Sequence, residues 1–319
     1  MKTLEQYFQQ VTADREPKNL YAPIDYILSQ GGKRIRPKLV FLSVELFGGE
    51  LEQAIYPAAA FEMLHNFTLI HDDIMDDAPI RRGKETVYKK WSSNIAILSG
   101  DALATMALQQ LLLTPCESAK ILKMSALFAQ TSLEVCEGQQ YDLNFETSDQ
   151  VTIQDYIEMI RLKTAVMLAG CLKVGAILAG ADEESQESIY RFGINLGIAF
   201  QLKDDLLDVY SDNTVFGKVN GGDIKVNKKT YLYLNALEQA NPEQKKELLH
   251  YFSSIDFNFD EKFAAVKKIY ADLQIKEQTE KSVEQYIQQA LLDLEKISAE
   301  KTKKEELKQM ALEFANRIK

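Results

Sequence analysis

LIHDDIMDD, residues 69–77, places four aspartates within six positions directly after an apolar segment. FQLKDDLLD, residues 200–208, repeats the same DDxxD spacing far along the chain. Residues four apart share a helix face, so the motif's first aspartate, Asp72 or Asp204, lies on the same face as the aspartate one turn later. Like charges on one face destabilise a helix, and acids near its C-terminal end oppose its dipole. The two clusters therefore predict two helices whose ends need a compensating cation.

Each acid cluster runs directly into a basic loop. APIRRGKET at 78–86 follows the first cluster, NTVFGKVNGGDIKVNKKT at 213–230 follows the second, and GGKRIRP at 31–37 is a third basic loop. Carboxylate oxygens suit hard cations, and Mg²⁺ typically takes one or two carboxylates together with substrate phosphates and water. A single cluster would be as consistent with a solvated acidic helix face. Two matched clusters followed by basic loops favour a site for magnesium and phosphate.

Composition excludes several classes of function. The chain has 319 residues, 46% of them hydrophobic, and a formal charge of −10, which disfavours nucleic acid and anionic lipid as partners. Three cysteines without a CxxC pair fit a reducing, cytoplasmic compartment, and the polar N-terminus MKTLEQYFQQ shows no signal peptide. The most apolar run, residues 165–180, contains Lys173 and is short for a bilayer span. It predicts a buried core helix and no membrane span.

Proline placement predicts long helices. None of the seven prolines lies between Pro115 and Pro242, and proline breaks helix interiors. Apolar residues recur at three- and four-residue steps, and the sequence has no sustained alternating strand pattern, repeat or low-complexity linker. We therefore expect an all-α fold, one domain over residues 1–319, with many antiparallel helices packed around a central bundle.

Five motifs in a fixed order carry a resemblance to a known family. They are GGKRIRP, HDDIMDDAPIRRGK, KTA at 163–165, FQLKDDLLD and the FGK…GGDI…KKT loop. From about Leu20 to the C-terminus the sequence resembles the trans-isoprenyl diphosphate synthases (polyprenyl synthetases) of the short-chain type. The resemblance implies an isoprenoid synthase-like helical bundle around a central active-site cavity, and a homodimer. It also implies Mg²⁺-dependent, head-to-tail condensation of isopentenyl diphosphate with an allylic diphosphate.

The resemblance implies roles for individual residues as well. The ligands for a group of about three Mg²⁺ ions on the allylic diphosphate would be Asp72, Asp76 and Asp204. The acids that support them in catalysis would be Asp73, Asp205 and Asp208. Isopentenyl diphosphate, which binds without metal, would contact Lys33, Arg36, His65 and Arg82. The allylic diphosphate would contact Arg81, Lys163, Lys218 and Lys228. The reaction centre would be lined by Lys163, Thr164 and Gln201.

Some polar residues near the motifs have less specific interpretations. His71 directly precedes the first aspartate and is predicted to pack or to hydrogen-bond a metal ligand. Arg34 and Lys38 are predicted to be solvated. The sequence leaves open whether a second group consists of ligands or bystanders: Lys203, Lys229, Asp142, Arg317 and Lys319.

Product length is predicted from one aromatic residue. Phe67 lies five residues before Asp72, about 7.5 Å back along the helix axis. In the family that the sequence resembles, a bulky aromatic at this position blocks the floor of the product tunnel. With the small Thr68 beside it and no insertion in the DDxxD motif, the resemblance favours a C20 product, with C15 next. The alternative is that Phe67 is an ordinary core residue.

Two other functions are weighed against this one. A terpene cyclase shares the helical shape and a DDxxD motif, but its second motif normally mixes Asn or Asp with Ser/Thr and Glu, unlike DDLLD here. A non-catalytic partner subunit of a heteromeric synthase typically loses aspartates, whereas both clusters are intact. Both alternatives are therefore disfavoured by the same two motifs.

Overall fold

Helices account for nearly all of the regular structure. The structure is a computed structural model and describes residues 3–148, 150–211, 220–254 and 256–316. The α-helices in chain order are α1 (Leu4–Thr12), α2 (Lys18–Ser29), α3 (Ile35–Leu46), α4 (Leu51–Met75), α5 (Val87–Lys90), α6 (Ser93–Leu112), α7 (Ser118–Thr147), α8 (Ile153–Ile160), α9 (Val166–Ala179), α10 (Glu183–Tyr210), α11 (Gly222–Lys225), α12 (Tyr231–Gln239), α13 (Pro242–Tyr251), α14 (Phe259–Asp272), α15 (Ile275–Glu295) and α16 (Lys301–Asn316). The all-α prediction is confirmed.

Two short elements interrupt the helices. A π-helical segment, Arg161–Ala165, joins α8 to α9. Strands β1 (Ile80–Arg81) and β2 (Lys84–Glu85) pair antiparallel, with Ile80 opposite Glu85. Within the described ranges this hairpin is the whole of the β-structure, and it lies in the loop that follows the first acid cluster.

The chain divides into two compact units. Unit 1 consists of Met1–Ser132 and Gly170–Glu187, and unit 2 of Leu133–Ala169 and Ser188–Lys319. The first acid cluster belongs to unit 1 and the second to unit 2. A single domain over residues 1–319 stays a prediction.

Helix α4 forms the centre of unit 1 and packs against α3 and α6. Its middle is buried on every side, because the consecutive residues 58–61, Ala-Ala-Ala-Phe, are all 0% exposed. A Cβ at Gly170 would lie 2.8 Å from the ring of Phe61, so this glycine gives the ring its space. The helix ends at Met75 with Asp76 as its C-cap. Packing thus leaves the DDxxD motif at the end of a rigid, buried helix.

Helix α10 carries the second acid cluster in unit 2. A Cβ at Gly193 would lie 2.5 Å from the Cα of Ala169, and one at Gly197 would lie 2.4 Å from the Cα of Ala165. Both glycines are therefore needed for this backbone-to-backbone approach. Because Gly197 lies one turn before Gln201, the contact fixes the part of α10 that leads into FQLKDDLLD.

The apolar run at residues 165–180 is almost entirely buried, which confirms the predicted core helix. Two helical stretches, Ser93–Leu112 and Ile153–Ala179, have the length and composition that a membrane span would need. In the second, 78% of the apolar window is buried inside the protein. Core helices of soluble proteins meet the same criterion, so these stretches are weak indicators of a span.

Candidate functional site

The first acid cluster occupies the last turn of α4 and its C-cap. Asp72 is half-buried and Asp76 is exposed. The Asp76 N–H donates to the Asp72 carbonyl oxygen at 2.8 Å, so helical spacing continues through the motif. The two carboxylates therefore lie on one helix face, which is the arrangement that the metal prediction requires.

Asp73 differs from its neighbours because it is only 1% exposed. Its Oδ1 accepts a hydrogen bond from Arg81 Nε at 2.7 Å, while its Oδ2 is buried without a hydrogen-bond partner among the described residues. Burial raises the pKa of Asp73, and the charge and hydrogen bond of Arg81 oppose that rise. The structure thus places Arg81, predicted to bind the allylic diphosphate, directly on the first acid cluster. The unsatisfied oxygen is compatible with a cation nearby.

Arg82 connects the hairpin to the GGKRIRP loop. Arg82 and Gly83 form the hairpin tip, with φ of 52° and 74°. Arg82 Nη1 donates to the Gly31 carbonyl oxygen at 2.5 Å. A Cβ at Gly32 would lie 3.1 Å from the guanidinium carbon, so the missing side chain leaves space for Arg82. Two basic loops far apart in sequence therefore meet in unit 1.

Arg36, His65 and Arg82 share one positively charged environment. Burial lowers the pKa of His65 well below its ordinary value, and Arg36 and Arg82 lower it further, so the imidazole is neutral at pH 7. Lys33, the fourth residue predicted for isopentenyl diphosphate, is exposed. Guanidinium groups bind phosphate oxygens bidentately, so this cluster suits a diphosphate.

Arg34 was predicted to be solvated, and that prediction is wrong. Its side chain is 12% exposed, and Nη1 lies 2.6 Å from Glu62 Oε1. Nη2 also donates to the Leu28 carbonyl oxygen at 2.6 Å. The prediction failed because α3 begins at Ile35, so Arg34 is its N-cap with a left-handed φ of 47° that turns the side chain inward. Lys38 is exposed, as expected.

The second acid cluster divides into exposed and buried carboxylates. Asp204 is exposed, whereas Asp205 is 4% exposed and accepts hydrogen bonds from Tyr156 Oη at 2.6 Å and Gln201 Nε2 at 3.2 Å. Burial raises the pKa of Asp205 to about 8, although both hydrogen bonds oppose that shift. Asp204 is therefore placed where an approaching cation could reach it. Asp205 instead fastens α10 to Tyr156 of α8.

Asp208 fixes the loop that follows the cluster. Its Oδ1 accepts from the Gly222 N–H at 3.2 Å and its Oδ2 from the Asp223 N–H at 3.1 Å. Burial raises the pKa of Asp223 to about 6, and Lys228 opposes the rise. Asp223 belongs to the GGDI element of the basic loop and is not among the residues that the sequence predicts for the site. The signal was present, as a further acid beside a DDxxD cluster.

Two of the lysines predicted for the allylic diphosphate meet on one carboxylate. Asp142 Oδ2 lies 2.5 Å from Lys163 Nζ and 3.6 Å from Lys228 Nζ. Burial opposes ionisation of Asp142, yet the two lysines hold its pKa below its ordinary value. Next to Lys163, Thr164 Oγ1 donates to Gln201 Oε1 at 3.3 Å. Residues distant in sequence are thus gathered in unit 2, where Asp142 orients both ammonium groups.

The π-helical segment carries the KTA motif. A Cβ at Gly138 of α7 would lie 2.3 Å from the backbone nitrogen of Lys163, so α7 approaches the segment as closely as backbone allows. π-Helical turns inside α-helices frequently mark functional sites. No residue pattern in the sequence predicts this π-helical segment.

Lys229, whose role the sequence leaves open, binds the C-terminal end of α7. Its ammonium donates to the carbonyl oxygens of Phe145 at 2.7 Å, Glu146 at 3.3 Å and Ser148 at 2.6 Å, at the C-terminal end of α7. A cation there satisfies helix-end carbonyls and complements the helix dipole. Three other candidates lie outside the described residues: Lys218, Arg317 and Lys319.

The described carboxylates fit a metal that substrate helps to hold. Among the described residues, no group of three His, Cys, Asp or Glu side chains forms a ready-made metal cage. Mg²⁺ usually keeps several waters and is held by one or two carboxylates plus substrate phosphates. A same-face carboxylate pair on α4, with the unsatisfied Oδ2 of Asp73 beside it, matches that requirement.

Phe67 and His71 form one packed pair on α4. Their ring centroids are 4.8 Å apart in an edge-to-face arrangement. His71 Nε2 lies 3.2 Å from the Ile97 carbonyl oxygen, and a Cβ at Gly100 would lie 2.4 Å from the same nitrogen. The prediction that His71 packs is confirmed. Helix α6 thereby supports the aromatic residue predicted to limit product length.

Comparisons with known proteins agree on one family. The chain matches the polyprenyl synthetase family over residues 17–273. A geranylgeranyl diphosphate synthase of Methanosarcina mazei is 42% identical over 224 residues, 70% of this chain and 69% of that protein. A solved geranylgeranyl pyrophosphate synthase gives a TM-score of 0.93 at 43% identity over 99% of both chains. One from Corynebacterium glutamicum, complexed with isoprenyl diphosphate and magnesium, gives 0.86 at 25% identity over 98% of this chain and 95% of that one. Relatives named geranylfarnesyl diphosphate synthase also match.

Proposed function

Because the chain belongs to the polyprenyl synthetase family and is a prenyltransferase, we propose that it condenses isopentenyl diphosphate head to tail with an allylic diphosphate. The product is a short-chain trans-prenyl diphosphate, C20 favoured and C15 next, released with diphosphate. One observation carries this proposal: two matched DDxxD clusters, each with a cation of its own unit close enough to act on it, Arg81 on Asp73 and Lys228 on Asp205. Such pairs of carboxylates and cations suit a substrate that brings both phosphate and metal.

Magnesium is the proposed cofactor. The proposed ligands of the Mg²⁺ ions are the carboxylates of three residues: Asp72, Asp76 and Asp204. When bound, the ions neutralise the negative charge that develops on the departing diphosphate. The relative complexed with isoprenyl diphosphate and magnesium supports this choice of metal.

The chain's own residues have separate tasks in the reaction. The isopentenyl diphosphate would be bound by the unit 1 cations: Lys33, Arg36 and Arg82, with neutral His65. The allylic diphosphate would be bound by Arg81, Lys163, Lys228 and Lys218. The allylic carbon–oxygen bond breaks with its electron pair going to diphosphate, and the double bond of isopentenyl diphosphate attacks the carbocation. Thr164 and Gln201 present dipoles to that carbocation. The proton then lost goes to the departing diphosphate, so no catalytic histidine is required.

Incubation of the pure protein with labelled isopentenyl diphosphate and separate C5, C10 and C15 allylic primers tests the proposal. We expect Mg²⁺-dependent labelled prenyl diphosphates, with C20 dominating on chromatography. A cyclase would release hydrocarbon from an allylic diphosphate without consuming isopentenyl diphosphate. A non-catalytic subunit would give no product at all. Either result would contradict the proposed function.

The two diphosphate pockets should separate kinetically. Replacing Arg36 or Arg82 by Met is expected to raise the KM for isopentenyl diphosphate about tenfold or more, because a charge-assisted hydrogen bond is lost. The KM for the allylic primer should change far less. Lys228→Met should show the reverse, and exposed Lys38→Ala serves as the control. Initial rates with each substrate varied in turn provide the measurement. Equal effects on both constants would indicate one general basic funnel in place of two pockets.

A homodimer in the cytoplasm is the proposed assembly and location. Large apolar side chains are exposed on and around α6 and α7 in unit 1: Leu98 61%, Leu112 52%, Leu113 61% and Leu122 72%. Exposed apolar patches mark interaction surfaces, and a second copy of the chain is the occupant we propose. Light scattering is expected to give twice the 36.2 kDa mass, and Leu98→Lys with Leu112→Glu should shift it to the monomer. A monomeric wild type would contradict the proposal.

A further inference from the structure

Glu62 is a buried carboxylate that none of the roles above uses. It lies on α4, ten residues before Asp72, and is 3% exposed. Its Oε1 accepts from Arg34 Nη1 at 2.6 Å. A buried charge persists only where a partner of opposite charge compensates it. Glu62 and Arg34 are therefore tied together at the base of the GGKRIRP loop.

Arg34 is held at several points besides Glu62. Nη2 donates to the Leu28 carbonyl oxygen at 2.6 Å, Nε lies 3.6 Å from Glu5 Oε1, and the guanidinium carbon lies 5.3 Å from the centre of the Phe8 ring. Its backbone has a φ of 47°, a left-handed conformation that is costly for a residue with a side chain. Such strain persists only where the surroundings enforce it. The ion pair with Glu62 is the constraint that brings a buried carboxylate to the turn.

The turn matters because it carries two cations of the proposed isopentenyl diphosphate pocket. Lys33 precedes Arg34 directly, and Arg36 follows two residues later. Rotating Arg34 out of its left-handed conformation would re-aim the backbone on both sides. An ion pair that holds Arg34 in this conformation therefore also constrains the backbone that carries both cations.

Glu62 also acts on the pocket through its charge. Burial lowers the pKa of Arg36 and of Arg82, and the negative charge of Glu62 opposes that shift at both. The guanidinium groups repel one another, and Arg34 adds to the repulsion at Arg82. Glu62 relieves part of this repulsion at both arginines, and Asp73 adds a smaller contribution at Arg82. The arginines still outnumber the carboxylates here, so the pocket keeps a net positive charge that would attract an anion such as diphosphate.

We propose that Glu62 is a positioning residue for the isopentenyl diphosphate pocket. It fixes the turn through Arg34 and holds Arg36 and Arg82 close enough to bind one diphosphate. This inference rests on the proposed function, since it assigns the pocket to that substrate. Glu62 does not touch the substrate itself.

Glu62→Gln keeps the shape of the side chain and removes its charge. We expect the KM for isopentenyl diphosphate to rise about tenfold, while kcat and the KM for the allylic primer stay within about twofold. Titration calorimetry with isopentenyl diphosphate alone should show the same loss of affinity without turnover. The matched control is Asp293→Asn in unit 2. Like Glu62, Asp293 is a buried carboxylate in an ion pair: it is 1% exposed, and its Oδ1 lies 2.8 Å from Lys296 Nζ. This control should leave both constants unchanged.

A second variant guards against misfolding. Glu62→Gln leaves the Arg34 charge buried without its partner, whereas Glu62→Gln with Arg34→Met removes both charges, which buried sites often tolerate. The double variant should fold and still bind isopentenyl diphosphate weakly. Wild-type affinity in the folded variant, or an equal rise in both KM values, would overturn the inference, as would no binding of isopentenyl diphosphate by the wild type. A wild type that binds it but forms no product would refute only the proposed function.

Discussion

Asp72→Asn and Asp204→Asn are each expected to lower turnover roughly 10²–10³-fold at limiting Mg²⁺. Asparagine keeps the shape of the side chain but removes the charge that would hold a metal against the departing diphosphate. The two acids lie in different units, so a loss at both would show that each cluster serves the reaction. Initial rates across a Mg²⁺ titration, with chelator as the zero point, give the measurement.

Asp77→Asn is the matched control for this prediction. Asp77 belongs to the same acid cluster, but its side chain is 84% exposed and pairs with Lys89 Nζ at 3.2 Å. Its φ of 46° suits asparagine as well as aspartate, so the backbone should tolerate the change. We expect near-wild-type turnover. If Asp72→Asn or Asp204→Asn behaved like this control at limiting Mg²⁺, the metal assignment would be wrong.

Phe67→Ala is expected to lengthen the product by at least one isoprene unit. Phe67 is half-buried, and its ring rests edge-to-face on His71, which α6 holds in place through the Ile97 carbonyl oxygen. If the growing tail runs along α4 away from the aspartates, removing the ring opens the floor that stops it. The product distribution is read by chromatography after dephosphorylation. An unchanged product in the variant, or a wild-type product of C30 or longer, would remove Phe67 from this role.

Phe61→Leu is the control that distinguishes a general loss of packing in α4 from removal of the side chain that blocks the product tunnel. Phe61 lies on the same helix, is 0% exposed and packs edge-to-face on Phe128 at 5.4 Å. Replacing a buried aromatic ring by the smaller leucine loses buried apolar contact and leaves a cavity, which costs on the order of 1–3 kcal/mol of stability. We expect a lower melting temperature with unchanged product length. Longer products from Phe61→Leu as well would point to general loosening of α4.

Local features of the site follow from short-range rules. Spacing of four residues was sufficient to put Asp72 and Asp76 on one face, and the structure has them there. The absence of proline allowed α7 and α10 to run for 30 and 28 residues. The composition of residues 165–180 was sufficient to predict a buried helix. In each case the property depends on neighbours within a few turns, which the sequence displays directly.

Other features depended on partners far away in the chain. Arg34 is predicted to be solvated on a helix starting near Pro37, but α3 begins at Ile35 and Arg34 pairs with Glu62, 28 positions later in the chain. The sequence leaves the role of Asp142 open, whereas in the structure its carboxylate pairs with Lys163 and Lys228. Lys229 looked like a possible substrate ligand, and its ammonium instead closes the end of α7.

The sequence by itself determined the family, the all-α class and the positions of both acid clusters, because periodicity and ordered motifs are properties of the chain. Tertiary structure alone decided which acids are exposed to solvent and which are buried in hydrogen bonds between helices. Asp204 and Asp205 are adjacent in sequence, yet one is exposed and the other is 4% exposed against Tyr156. Consecutive helical residues point about 100° apart, so their environments are set by what packs on each side. Burial, and with it the cost of each charge, is a property of that packing and cannot be read from spacing.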